Sequence, residues 1–212
     1  MIVINFKNYA FGKKGLKLAK KIGKYLPDAY VAVPATDIKS VVSKTDLKVL
    51  AEHVDYFEKG GTTGFVIPED VKASGAIGTL LNHSEHRLRE ETIKKTMKRL
   101  EEVDLKTILC VESVKEAKKY KKLKPWAMAF EDPELIGTGR SITDYKADEV
   151  KNFVKELKRT KIIPLCGAGI NKVEDFIVSR DLGCRGVLIA SAIVNVSLMD
   201  AGYLLRGLRD FR

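Results

Sequence analysis

Eight short runs rich in β-branched and apolar residues recur along the chain, and amphipathic helical patterns fill the gaps between them. The runs are Ile2–Phe6, Tyr30–Val33, Lys48–Ala51, Ile77–Leu81, Thr107–Cys110, Ala127–Phe130, Ile162–Leu165 and Gly186–Ile189. The clearest helical pattern is DEVKNFVKELKR (148–159), with Val150, Phe153, Val154 and Leu157 on one face. Ser113 with Glu116, and Asn171 with Glu174, read as helix N-caps with an acid three residues on. Strands this continuously apolar belong to an α/β chain with a parallel sheet covered on both faces. Eight such units close naturally into a (β/α)8 barrel, and 212 residues lies at the small end of the range for one. An open doubly wound sheet usually carries a glycine-rich turn after its first strand, and Phe6-Lys7-Asn8-Tyr9 is not one. No linker, low-complexity tract or composition shift divides the chain, so a single domain over residues 1–212 is expected.

Composition narrows the function classes. Hydrophobic content of 45% and charged content of 31% are globular values. MIVINFKNYA is charged too early for a secretory signal, and the uncharged stretch Gly186–Met199 is shorter than a membrane span. The three cysteines, Cys110, Cys166 and Cys184, form no metal-type pair and read as reduced core thiols of a cytoplasmic protein. The net charge of +10 raises nucleic acid as a partner, but its distribution argues against one. Lysines coat the outer faces of separate helices, opposite the stripes Leu16, Ala19, Ile22, Leu26 and Ile93, Met97, Leu100. Such a skin is common in proteins from hot environments, and it also attracts an anionic substrate.

In a barrel, chemistry belongs at the C-terminal ends of the strands. Strand 1 presents Asn5 and Lys7 there, which lie two apart and so point the same way. Strand 4 presents Asn82 and His83, and strand 6 presents Glu131. A carboxylate after four apolar or aromatic neighbours has a raised pKa and suits general-base work. Ser84 is expected to cap a helix that begins there, with Glu85 anchoring the cap, and the helix field would keep His83 neutral and able to donate to a carbonyl. The small residues Gly167, Ala168 and Gly169, and Ala190, Ser191 and Ala192, leave backbone N–H groups uncovered in two adjacent loops, a corner suited to a phosphate. Each of these residues also has an ordinary reading: a solvated Lys7, a structural His83, a loop acid at Glu131, and small residues that merely permit tight turns.

Taken together, Asn5-Phe6-Lys7, His83-Ser84-Glu85 with Arg87, Cys110 with Glu112, Phe130-Glu131 with Gly137-Thr138-Gly139, and Thr63-Gly64 after Gly60-Gly61 resemble the triosephosphate isomerase family. The match spans nearly the whole chain, and the strings NHSEHR, ELIGTG and CGAGI are similar to the compact archaeal branch. The resemblance implies a single TIM barrel that interconverts dihydroxyacetone phosphate and glyceraldehyde 3-phosphate without metal or cofactor. It implies that Glu131 is the base, His83 the electrophile and Lys7 the support for developing charge, with Asn5 orienting the substrate. It implies phosphate contacts at Ile136, Gly169, Ala190 and Ser191, and a lid over Pro133 to Gly139. A homo-oligomer is implied too, dimer or tetramer, with Thr63 entering the neighbour, and no nucleic acid or membrane as partner. The sequence departs from the longer bacterial and eukaryotic pattern at Glu52-His53, Asn82, the Gly167-Ala168-Gly169 loop and Ala190-Ser191. Two other classes stay open: a different phosphate-binding barrel such as a sugar-phosphate epimerase or an indole-pathway enzyme, and a non-catalytic basic binding module.

Overall fold

In the computed structural model, which describes residues 1–131 and 146–210, eight parallel strands pair in sequence order into a closed ring. They are β1 (Ile2–Asn5), β2 (Tyr30–Val33), β3 (Lys48–Ala51), β4 (Gly78–Leu81), β5 (Lys106–Val111), β6 (Ala127–Phe130), β7 (Ile163–Cys166) and β8 (Gly186–Ile189). The helices among the described residues are α1 (Gly12–Tyr25), α2 (Ile38–Val42), α3 (Pro68–Ala73), α4 (Glu90–Glu102), α5 (Val114–Tyr120), α6 (Ala147–Leu157), α7 (Val173–Asp181), α8 (Ser191–Val194) and α9 (Leu198–Asp210). Pairing of Val3 with both Tyr30 and Leu188 closes the ring between β2, β1 and β8. The expected runs agree with the strands to within one residue at each end.

Strand alternation divides the core in two. Val3, Ala32, Leu50, Leu80, Ile108, Cys110, Ala127, Ala129, Leu165 and Leu188 fill the inside of the barrel. Their neighbours, among them Ile4, Val33, Ala51, Leu81, Met128, Phe130 and Ile189, face outward into the layer shared with the helices. Inward positions repeat every second residue, so the next inward position past each strand is fixed by the strand itself. That position is Asn5 on β1, Glu52 after β3, Asn82 after β4, Glu131 after β6, Gly167 after β7 and Ala190 after β8.

Helix α4 buries Ile93, Met97 and Leu100 as expected, together with Thr96. In α6, Val150, Phe153 and Leu157 are buried, and Val154 packs partly buried against the same core. Helix α1 buries Ala19 and Ile22 as expected, and Leu26 just past its end, but Leu18 takes the place of Leu16, which is only half-buried. Gly15 is buried on the same face, where a Cβ would stand 2.9 Å from the Ala10 carbonyl oxygen. The Ser113 hydroxyl accepts from the Glu116 N–H and caps α5. Before α7 the expected pair is replaced: Asp175, not Glu174, accepts from the N–H groups of Asn171 and Lys172. All three cysteines are buried and free. Among the described residues, no helix is long and apolar enough to cross a membrane.

Candidate active site

Glu131 is the first residue past β6, and strand alternation turns its side chain into the barrel mouth, where it is 1% exposed. Its N–H donates to Val111 at 2.8 Å, and the Gly167 N–H donates to the Phe130 carbonyl at 2.8 Å. The base of the side chain is thereby fixed to the ladders on both sides. One carboxylate oxygen, Oε2, accepts from the Ser84 N–H at 3.1 Å. The other, Oε1, lies 3.2 Å from His83 Nε2 but off the line of a hydrogen bond, and has no hydrogen-bond partner among the described residues. Burial pushes the Glu131 carboxyl above the usual carboxylate range, while His83, the Ser84 N–H, the Cys110 thiol and Lys7 pull it back. A buried carboxylate with one unbonded oxygen is a ready proton acceptor.

His83 sits one residue past an unusual turn. Asn82 has φ 61, a left-handed conformation that asparagine tolerates better than most side chains. Its amide bonds on both sides, with Nδ2 donating to the Cys110 carbonyl at 3.0 Å and Oδ1 accepting from the Leu88 N–H at 2.9 Å. Arg87 reinforces the turn by reaching the Asn82 carbonyl at 3.4 Å while pairing with Glu116. The expected helix at Ser84 does not form. Residues 84–86 make a turn closed by the His86 N–H on the His83 carbonyl at 2.8 Å, and α4 starts only at Glu90. Ser84 therefore caps no helix, and its N–H serves Glu131 instead. A backbone N–H, not a helix, orients the imidazole. The Glu85 N–H donates to His83 Nδ1 at 3.2 Å, which places the ring proton on Nε2, the nitrogen facing Glu131. The Glu85 carboxylate is spoken for elsewhere, with Oε1 2.8 Å from Lys7 Nζ, though its Oε2 also stands 3.7 Å from Nδ1.

Asn5 reaches the same cavity by strand alternation, and Lys7 reaches it by a turn. The chain leaves β1 at Asn5, and Lys7 opens a short 3-10 turn with φ 45, a strained conformation for a lysine. Asn5 Oδ1 accepts from the Lys7 N–H at 3.1 Å and holds that turn. A cavity of about 410 Å³ is lined by Asn5, Lys7, Asn8, Tyr9, Glu52, His53, His83, Glu85 and His86. Glu131 is not one of the lining residues, but it stands 3.2 Å from His83, which is. Among the described residues no group of His, Cys, Asp and Glu side chains is arranged to hold a metal ion.

The small-residue loops lie side by side, because β7 and β8 pair through Leu165–Gly186 and Cys166–Val187. Gly169 has φ 62, and its carbonyl accepts from Asn171 Nδ2 at 3.1 Å. Ala190 immediately precedes α8, which Ser191 begins. The Gly167 amide is not open to a ligand, since it bonds Phe130. Gly167 has a steric role instead: a Cβ there would stand 2.8 Å from Glu131 Cγ. Ile136 and the expected lid, Pro133 to Gly139, lie outside the described residues.

In the sequence Glu52 and His53 stand out only as departures from a pattern. In the structure both line the cavity, and His53 stacks on His86 with ring centroids 4.2 Å apart. The inward phase of β3 was the signal that could have found Glu52.

The sequence model of one family, "Triosephosphate isomerase", matches residues 1–201. The chain belongs to the triosephosphate isomerase family. It is 41% identical over 201 residues to the triosephosphate isomerase of Saccharolobus solfataricus, a match that covers 92% of this chain and 88% of that one. It is 38% identical over 202 residues to that of Methanothermus fervidus, covering 92% and 91%. Among solved structures, the triosephosphate isomerase of Bartonella henselae superposes with a TM-score of 0.74 over 99% of this chain and 97% of that one. At 16% sequence identity that likeness speaks for the fold. The relatives of higher identity bear out the resemblance to archaeal members of the family.

Proposed function

We propose that Glu131 is the base and His83 the hydrogen-bond donor of the isomerisation, with Lys7 supporting the charge that develops between them. As a triosephosphate isomerase the protein interconverts dihydroxyacetone phosphate and glyceraldehyde 3-phosphate. The observation that carries the assignment is the 3.2 Å approach of His83 Nε2 to the unbonded Oε1 of Glu131, with Lys7 on the same cavity. The substrate carbonyl oxygen accepts from His83 Nε2–H, and the carboxylate takes a proton from the neighbouring carbon. The electron pair of that C–H bond forms the C=C bond of an enediolate, whose oxygen carries the negative charge. Lys7 and the His83 N–H stabilise that oxygen where water is excluded. A proton passes from the hydroxyl oxygen to the enediolate oxygen through the His83 N–H, Glu131 returns its proton to the adjacent carbon as the C=O bond forms there, and neither side chain is consumed.

The phosphate is assigned to the corner of loops 7 and 8, with backbone contacts at Gly169, Ala190, Ser191 and Ile136. What supports this is the adjacency of the two loops and the left-handed turn at Gly169, which keeps that stretch free of side-chain bulk. Residues 1–212 are read as one barrel domain that works as a homo-oligomer in the cytoplasm. The segment 58–65 is exposed along its length and carries Thr63, the residue assigned to the neighbouring subunit's cavity. The test is turnover of dihydroxyacetone phosphate by the pure protein with a metal chelator present. Glu131→Gln is expected to lose at least about a thousandfold in kcat, while near-normal turnover by that variant would remove Glu131 from the mechanism.

A further inference from the structure

We propose that Glu52 is a positioning residue of the reaction, acting through Lys7 and setting the negative charge that an incoming phosphorylated substrate meets. The inference rests on the active-site reading given above. Glu52 follows β3 on the inward phase, and its N–H donates to the Val33 carbonyl at 3.2 Å, so the backbone that carries it is fixed. Its side chain lines the cavity with Asn5, Lys7 and His83. Two of its surroundings define what it can do. The Lys7 N–H, at the strained turn held by Asn5, also faces the Glu52 carboxyl. Its Oε1 is buried with no hydrogen-bond partner among the described residues. An unbonded buried oxygen is tolerable on a neutral acid and costly on a carboxylate.

The charges around it come from three other elements. Lys7 faces it from the loop after β1, Asp37 from the turn before α2, and Glu85 from the loop after β4. His53 adjoins it in sequence, His83 shares the cavity wall, and His86 stacks on His53. Burial, with Asp37 and Glu85 adding to it and Lys7 opposing, pushes the Glu52 carboxyl up to about 7. Among the cavity-lining side chains Lys7 is the cation, and Glu52 and Glu85 are the carboxylates. With Glu52 neutral, Lys7 and Glu85 balance. With Glu52 ionised, the lining gains one negative charge close to Lys7. A dianionic triose phosphate then binds less well.

The experiment compares KM and kcat of wild type, Glu52→Gln and Glu52→Asp from about pH 5.5 to about pH 9, at matched oligomeric state. Titration of the substrate phosphate and of Glu131 affects all three proteins alike, so the readout is the ratio of wild-type KM to Glu52→Gln KM. That ratio is expected near one at the acid end and to climb about three- to tenfold at the alkaline end, the size of one screened charge across a pocket. The kcat ratio is expected to stay within about twofold at every pH. Glu52→Asp, which keeps a titratable carboxyl, is expected to retain a rising KM. A ratio constant across pH, or a Glu52→Asp profile as flat as that of Glu52→Gln, would overturn the proposal. So would a 13C NMR titration of wild type placing the Glu52 carboxyl in the ordinary carboxylate range, a measurement that needs no variant. Inactivity of wild type would instead overturn the active-site reading beneath it.

Discussion

Gly167 and Glu131 face each other across the β6–β7 ladder so closely that a methyl group on Gly167 would stand 2.8 Å from Glu131 Cγ, 3.1 Å from the Phe130 carbonyl oxygen and 3.2 Å from Ala129 Cβ. Two of those three neighbours are backbone or a short rigid side chain, so the carboxylate is the part that yields. Gly167→Ala is therefore expected to keep the fold and to displace the Glu131 carboxylate, lowering kcat by on the order of a hundredfold with KM changed far less. Steady-state kinetics with thermal melts on the same samples check this. Full kcat with an unchanged melt would show that the site has slack it does not display.

Shortening Glu131 tests the same geometry from the other side. Glu131→Asp withdraws the carboxylate by about one methylene, and the loss is again expected in kcat, on the order of a hundredfold. Its Ser84 bond, now at 3.1 Å, would be stretched as well.

The tautomer of His83 follows from the Glu85 N–H at 3.2 Å from Nδ1. A 15N spectrum of the neutral ring is expected to show an unprotonated Nδ1 and a protonated Nε2. The opposite tautomer, with the proton on Nδ1, would mean that the Glu85 carboxylate, 3.7 Å away, governs the ring in place of its N–H.

Asn82 combines a left-handed backbone with two amide hydrogen bonds. Asn82→Ala is expected to destabilise the protein by about 2–4 kcal/mol, since it adds backbone strain and orphans two buried polar groups. Asn82→Gly relieves the strain but not the orphans, so it should cost about 1–2 kcal/mol less than the alanine variant. Urea denaturation of the pair separates the two contributions.

Glu52 also links stability to pH. Its carboxyl is raised to about 7 in the folded protein from an ordinary 4.5. Below the ordinary value both states are protonated and Glu52 costs nothing. As pH rises from there to about 7 the unfolded chain releases its proton first, so stability falls, and the full cost of about 1–3 kcal/mol is present above about pH 7. Glu52→Gln should remove this decline, leaving wild type and variant to diverge only across that window in a pH series of urea melts.

The sequence made the barrel legible because its strands are buried on both faces and so stand out as apolar runs between helical stripes. Candidate site residues are legible wherever a polar residue follows such a run, as Glu131 does after Ala127–Phe130. What it could not show was which hydrogen bonds the backbone makes. The segment after His83 carries serine and glutamate in a helix-start pattern, yet the Ser84 N–H is drawn to Glu131 and the chain turns instead. Asn171 likewise carries a cap-like side chain, but Asp175 lies where two N–H groups converge. Leu16 and Leu18 are both apolar and close to the buried face, and the sequence does not tell which of them is covered. Strand alternation does not carry Lys7 to the mouth; a left-handed turn does. Glu52 was visible as a departure, but its weight came from the company that closure of the ring gives it.

A closed ring has no edge strand at which to fray, so any opening must begin at a seam. The thinnest seams are β3–β4, with Leu50–Gly78 and Ala51–Thr79 as its paired positions, and β7–β8, with Leu165–Gly186 and Cys166–Val187. Glu52 and Asn82 stand at the mouth of the first, and Gly167 and Ala190 at the mouth of the second. A ligand that touches both mouths acts as a hoop around the barrel. Occupancy would then show as slower amide exchange at the ladders deep below the site, far from any atom the ligand touches.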